Sequence, residues 1–151
     1  MSKFVFPLHS VLELRRSAEL EAEARLREAH RDVAAATENV RRAAASLRQL
    51  HQLRETFIVQ PQASGLPGAL SQQIPNLLAA EKVAASDLIF AESVRVERDA
   101  EWVTCRKRVK ALEKLEEHQK KMAEATARRA EDRQLEDWVL LKDYNTRVIL
   151  G

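Results

Sequence analysis

The chain has 151 residues with 25 basic and 23 acidic side chains, a net charge of +2, and only 3 Gly, 4 Pro and 1 Cys. Charged residues make up 32% of it and aromatics 5%, so the apolar 45% leans on Ala, which buries little area per residue. That leaves little material for the turns of a sheet protein and too few bulky side chains for a thick core, whereas long helices pairing along a narrow seam fit.

From Leu8 a heptad pattern begins. One seam position reads Leu12, Glu19, Leu26, Val33, Val40, Leu47, Arg54; the other reads Leu8, Arg15, Ala22, Ala29, Ala36, Ala43, Leu50, Phe57. Such a repeat keeps one stripe facing a partner helix when the helices supercoil slightly left-handed. No Gly or Pro interrupts residues 8–60, and Pro7 and Ser10 supply start signals. At about 1.5 Å per residue this first helix is roughly 75 Å long.

The breakers Pro61, Gly65, Pro67 and Gly68 then gather in one place, as expected of a loop. Pro75 fits just inside a second helix, where its missing N–H costs nothing. From Asn76 to Asp143 there is again no Gly or Pro. The seam of this helix holds Leu77, Ala84, Leu88, Ala91, Trp102, Cys105, Val109 and Leu112, then slips through Leu115 and Met122 towards Ala130. A slip of this kind implies altered supercoiling or an end projecting past its partner. One short loop between long helices forces an antiparallel arrangement. The expected fold class is therefore all-α: a single two-helix antiparallel coiled-coil hairpin over residues 1–151. Its first helix covers about residues 8–60, its loop about 61–75 and its second helix about 76–143, followed by a short C-terminal tail.

Catalytic and metal chemistry find no foothold. His9, His30 and His51 share one helix face, but a spacing of 21 residues separates neighbours by about 31 Å, against zinc bonds of about 2 Å. His118 stands alone, and no Glu-x-x-His motif supplies di-iron ligands. Cys105 falls on the seam, where a thiol acts as small apolar filler, and one cysteine makes neither an internal disulfide nor a zinc site. No Gly-rich phosphate cradle or nucleophile elbow occurs. The expectation is a protein that is not an enzyme and has no cofactor and no metal. Both charge signs are interleaved along most of the chain, so nucleic acid is not an expected partner. The run Arg106, Lys107, Arg108, Lys110, Lys114 reads first as a solvated face pairing with Glu113, Glu116 and Glu117, and second as a docking patch for an acidic partner or nucleic acid. No stretch approaches the roughly 18 apolar residues of a membrane span, and the amino terminus lacks a signal region. A cytoplasmic protein without direct membrane insertion is expected.

Large apolar side chains collect at Phe4, Phe6, Leu8, Val11, Leu12, Leu14, at Ile74, Leu77, Leu78, and at Trp138, Val139, Leu140, Leu141. They act either as staples at helix ends or as contacts with other proteins. The opening Phe4-x-Phe6-x-Leu8-x-x-Val11-Leu12-x-Leu14-Arg15, with Glu19 beyond it, resembles the amino-terminal signature of the FliJ family of flagellar export proteins. The segment from Trp102 to Leu115 and the late Leu135, Glu136, Asp137 also fall where that family carries similar residues, whereas Pro75 interrupts a stretch that is commonly continuous helix there.

The resemblance implies a non-enzymatic component of the flagellar type III export apparatus, acting as a central stalk and general chaperone. It implies that the terminal end enters the pore of a FliI-like hexameric export ATPase and that the loop-proximal end faces an FlhA-like export gate, with export chaperones as further partners. Leu8, Leu12 and Arg15 would belong to the ATPase-facing end, and Ile74 and Leu78 to the gate-facing end. Location would be cytoplasmic, held peripherally at the inner face of the membrane through the apparatus. An injectisome counterpart shares this architecture, and a prefoldin-like or generic scaffold without an ATPase is a reading from a different class.

Overall fold

The structure is a computed structural model that describes residues 3–59 and 66–150, with side chains described for 3–56 and 68–150. It is an all-α helical hairpin of two elements, α1 (His9–Val59) and α2 (Leu66–Leu150). Among the described residues there is no strand. By contact the chain divides into two compact units, one containing residues 18–105 and the other residues 3–17 together with 106–150.

In the unit of residues 18–105 the two helices meet along the small side chains that the heptads predict. Ala22, Ala29, Ala36 and Leu50 of α1 are buried, as are Ala84 and Ala91 of α2. Leu26, Val33, Val40 and Leu47 flank them half-buried, as do Leu77, Leu88 and Trp102 on α2. An alanine seam lets helices approach closely but removes little apolar area from water, so each layer contributes modestly. Arg25 tethers the pair from outside, reaching Glu21 on its own helix at 3.6 Å and Glu101 on α2 at 3.8 Å.

The other unit uses larger side chains. Phe6, Leu12 and Val109 form a buried cluster, with Phe4 and Leu112 packed against it. Phe4 and Phe6 precede the helix and reach this cluster because the chain turns back at Pro7. His9 N–H donates to the Phe6 carbonyl at 3.1 Å, closing a turn whose second residue is Pro7, and Leu12 N–H donates to the Leu8 carbonyl at 2.9 Å to start α1. Proline presets the φ that this turn position requires. The two phenylalanines are thus an internal cap on the helix pair.

Two boundaries differ from the sequence expectation. Residues 66–75, expected in the loop, are helical, with Pro75 inside α2; the rest of that loop, 60–65, lies outside the described residues. Pro67 sits in the first turn, where an N–H has no partner in any case. Pro75 removes the bond to the Ser71 carbonyl, but both residues are exposed, so water can satisfy that oxygen. Leu70, Ile74 and Leu77 continue the half-buried stripe across the proline at heptad spacing, which holds the helix together. At the far end α2 does not stop near 143 but runs to Leu150. Nothing from 144 to 150 breaks a helix. Arg147 pairs with Asp143 one turn back at 3.5 Å and complements the C-terminal dipole.

Candidate interaction surfaces

The amino-terminal residues singled out in the sequence divide by burial. Leu12 is fully buried against Phe6 and Val109 and holds the end of the helix pair together from within. Leu8 is 38% exposed, and Val11 and Leu14 are exposed beside it. Arg15 is half-buried, and its neighbour Arg16 makes the ion pairs. Arg16 donates to Glu13 at 3.0 Å and across to Glu113 of α2 at 3.3 Å. The contact with Glu113 first, and that with Glu13 second, raise the guanidinium pKa above its ordinary value. Leu8 and Arg15 therefore remain available at this end.

Facing the same unit, α2 continues where α1 has no residue to cover it. From Lys120 to Leu150 every described side chain is exposed except Ala125, which is half-buried. Leu135, Trp138, Val139, Leu140, Leu141, Tyr144, Val148 and Ile149 lie open, Trp138 at 60%. A helix that buries almost nothing gains no stability from packing and is marginal by propensity alone. Leu115 is exposed because the half-buried line of α2 continues through Glu116 and Gln119 instead, and Met122 lies beyond that line. Open apolar side chains of this size are costly in water.

In the unit of residues 18–105, Ile74 is half-buried and Leu78, four residues on, is 43% exposed, so both lie towards one side of α2. Exposed Ile89 and Val96 extend the line of Leu78 at helical spacing, and Val83 and Phe90 lie on the opposite flank. Heptad spacing does not single out these four, because it marks only what faces the seam. The signal was available: Ile89 and Phe90 are large residues adjacent in sequence, and no seam accommodates both.

The charges are less evenly mixed than the totals suggest. Residues 106–129 hold nine basic and four acidic side chains, a net of +5, while the remainder holds 16 against 19, a net of −3. Glu113 and Glu117, expected to pair with this basic run, pair instead with Arg16 of α1 and with Lys121. His9, His30 and His51 are all exposed on α1, and no group of three or more metal-ligating side chains occurs among the described residues. Cys105 is a half-buried thiol on the seam. No helix among the described residues is long and apolar enough to cross a membrane.

An antiparallel pair of long helices with a sparse alanine seam defines an all-α coiled-coil hairpin. Residues 3–143 match the family model described as flagellar FliJ protein. The match covers nearly the whole chain, so the protein belongs to the FliJ family and is a flagellar export-related protein. Neither a curated protein nor a solved structure gives a significant match.

Proposed function

We propose that this protein is the non-catalytic stalk and general chaperone of a flagellar type III export apparatus, linking a FliI-like hexameric export ATPase to an FlhA-like export gate. The observation that carries this reading is the uncovered stretch of α2 beyond Lys120, beside Leu8 and Arg15 in the same unit. A helix with so many open apolar side chains is costly in water and is suited to an enclosing partner. Leu8 and Arg15 contact the ATPase ring on this reading, Arg15 through the carboxylate-directed geometry of its guanidinium. Ile74 and Leu78 contact the gate, and Ile89 and Val96 extend that line towards export chaperones. Its place is the cytoplasmic face of the inner membrane, held there by protein contacts.

The mechanism follows from symmetry. Two helices cannot contact all six subunits of a ring equally, so their binding energy favours particular nucleotide states of particular subunits. The effect on turnover is limited to the difference in affinity among those states. Ring assembly is favoured because a central occupant binds the hexamer and not the monomer. The test is to add the purified protein to the cognate ATPase: hexamer formation and hydrolysis should both rise. No change in either would remove the stalk reading and leave a scaffold.

A further inference from the structure

We infer that the outward side of α2 between Lys107 and Arg129 binds an anionic lipid surface. The inference does not depend on the ATPase reading, because it concerns contact with a bilayer and not with a ring.

Two rows of side chains run along this stretch at strict seven-residue spacing. One row is Lys107, Lys114, Lys121 and Arg128; the next residue in each case forms the other, Arg108, Leu115, Met122 and Arg129. Seven-residue spacing stacks side chains along a helix with about 10 Å between neighbours, so each row is straight and about 31 Å long. Lys114 lies about 140° around the helix from the buried Val109, so the rows face away from the contact with Phe6 and Leu12. All eight side chains are exposed, Met122 at 57%. The four acidic residues of this stretch lie elsewhere: Glu113, Glu117 and Glu124 on the other flank of the lysine row, and Glu116 on the half-buried line.

The six cations are also poorly neutralised. Among the described residues Lys121 alone of the six forms an ion pair, with Glu117 at 3.2 Å, and both partners are over three-fifths exposed, so solvent screens it. On α1 the arginines are matched from their own helix: Arg25 by Glu21, Arg27 by Glu23, Arg41 and Arg42 by Glu38. The excess positive charge of residues 106–129 is thus concentrated on one side of one helix.

An anionic bilayer fits this layout better than a soluble polyanion. Six cations on one side of a helix fall in the range of roughly four to eight that anionic leaflets attract. Cations about 10 Å apart along a line do not converge on one phosphate or carboxylate, but each can meet a separate headgroup of a fluid plane. Leu115 and Met122 sit between the charged ends of their row, where their apolar surface enters the headgroup layer while the long lysine stems carry their ammonium groups to phosphate. Nucleic acid would leave these two side chains without a use, and residues 106–129 contain no Phe, Tyr or Trp on which a base could stack. A carboxylate-bearing protein would favour arginine forks, whereas half of the six cations are lysines, which act as point charges.

The experiment floats the full chain with vesicles of phosphatidylcholine containing about 30% phosphatidylglycerol, and with phosphatidylcholine alone. The chain should bind the anionic vesicles in about 0.1 M salt, leave them in about 0.5 M salt and ignore the neutral ones. The triple variant Lys107→Gln, Lys114→Gln, Arg128→Gln should bind about a hundredfold more weakly, with unchanged thermal unfolding because the three side chains are exposed. A second triple variant, Arg31→Gln, Arg48→Gln, Lys82→Gln, lowers the net charge equally, from +2 to −1, but keeps the rows, and should bind within about threefold of the native chain. Equal loss in the two variants, binding to neutral vesicles, or binding that survives high salt would overturn the proposal. So would a DNA duplex of about 30 base pairs that displaces the vesicles at equal phosphate concentration, which would assign the rows to nucleic acid. The readout contains no ATPase, so its failure leaves the stalk reading intact, and failure of the hydrolysis assay leaves this one intact.

Discussion

Arg16 on α1 and Glu113 on α2 are joined by a hydrogen-bonded ion pair of 3.3 Å, fixing the register of the two helices next to the buried Leu12–Val109 contact. Both side chains are over two-fifths exposed. Solvent therefore screens the pair, and its contribution is to alignment more than to stability. A double-mutant cycle of Arg16→Ala and Glu113→Ala should give a small coupling that disappears in 0.5 M salt. A large, salt-independent coupling would mean that the pair is more buried than its exposure indicates.

Leu12 should be the most stability-sensitive residue of its unit. It is the largest fully buried side chain, and its removal empties the contact that Phe6 and Val109 share. Leu12→Ala should cost about 2–5 kcal/mol in chemical denaturation, the range for a buried leucine that leaves a cavity. Leu8→Ala, by contrast, should change stability little, because Leu8 is partly open to water. A mild effect at Leu12 would indicate that the amino-terminal cap contributes little to the helix pair.

The start of α2 should respond to removal of its breakers. Pro75→Ala restores the bond to the Ser71 carbonyl and removes the ring clash, an interior-helix penalty of about 3 kcal/mol. Amide exchange across residues 70–79 should slow accordingly. Gly68 lies in the first turns of α2, and a Cβ there would meet nothing within 4 Å. Gly68→Ala should therefore add about 0.5–1 kcal/mol to local helix stability, measured in the same exchange experiment. Faster exchange in either variant would mean that these residues are needed for a non-helical state.

Glu38 gives the clearest pH dependence on α1. Hydrogen bonding from Arg41, at 2.6 Å to one carboxylate oxygen and 2.9 Å to the other, is the largest cause that holds its pKa below the ordinary glutamate value. A folded-state pKa that is depressed means stabilisation present above the unfolded value and lost as pH falls through the folded one. In an NMR titration the Glu38 carboxyl should thus protonate after the unpaired glutamates as acid is added. Arg41→Gln should return it to the ordinary range, and a titration unchanged by that substitution would contradict the assignment.

The helical hairpin was legible because periodicity is a direct consequence of what each position faces. Ala22, Ala29 and Ala36 at seven-residue spacing, with Ala84 and Ala91 opposite, needed only a count. The role of Phe4 and Phe6 was not legible, since they precede the helix and reach the core through a turn that no heptad describes. Local punctuation misled at Pro75, where the stripe of Leu70, Ile74 and Leu77 outweighs a breaker on an exposed face. It misled again near Asp143, where no residue ends α2. Of the candidate contacts, Leu8, Arg15, Ile74 and Leu78 keep exposed or half-exposed surface. The full burial of Leu12 was not legible, because a seam position and an exposed apolar end look alike in sequence until burial separates them.

On the proposed function, the end formed by Leu8, Arg15 and the uncovered part of α2 engages a ring ATPase. The most direct measurement is ATP hydrolysis by the cognate export ATPase, titrated with the intact protein and with the double variant Leu8→Ala, Arg15→Glu, whose folding is checked by circular dichroism. The intact protein should raise the rate and drive hexamer formation, and the folded double variant should lose most of both effects. Equal stimulation by the two proteins, or none by the intact one, would contradict the account.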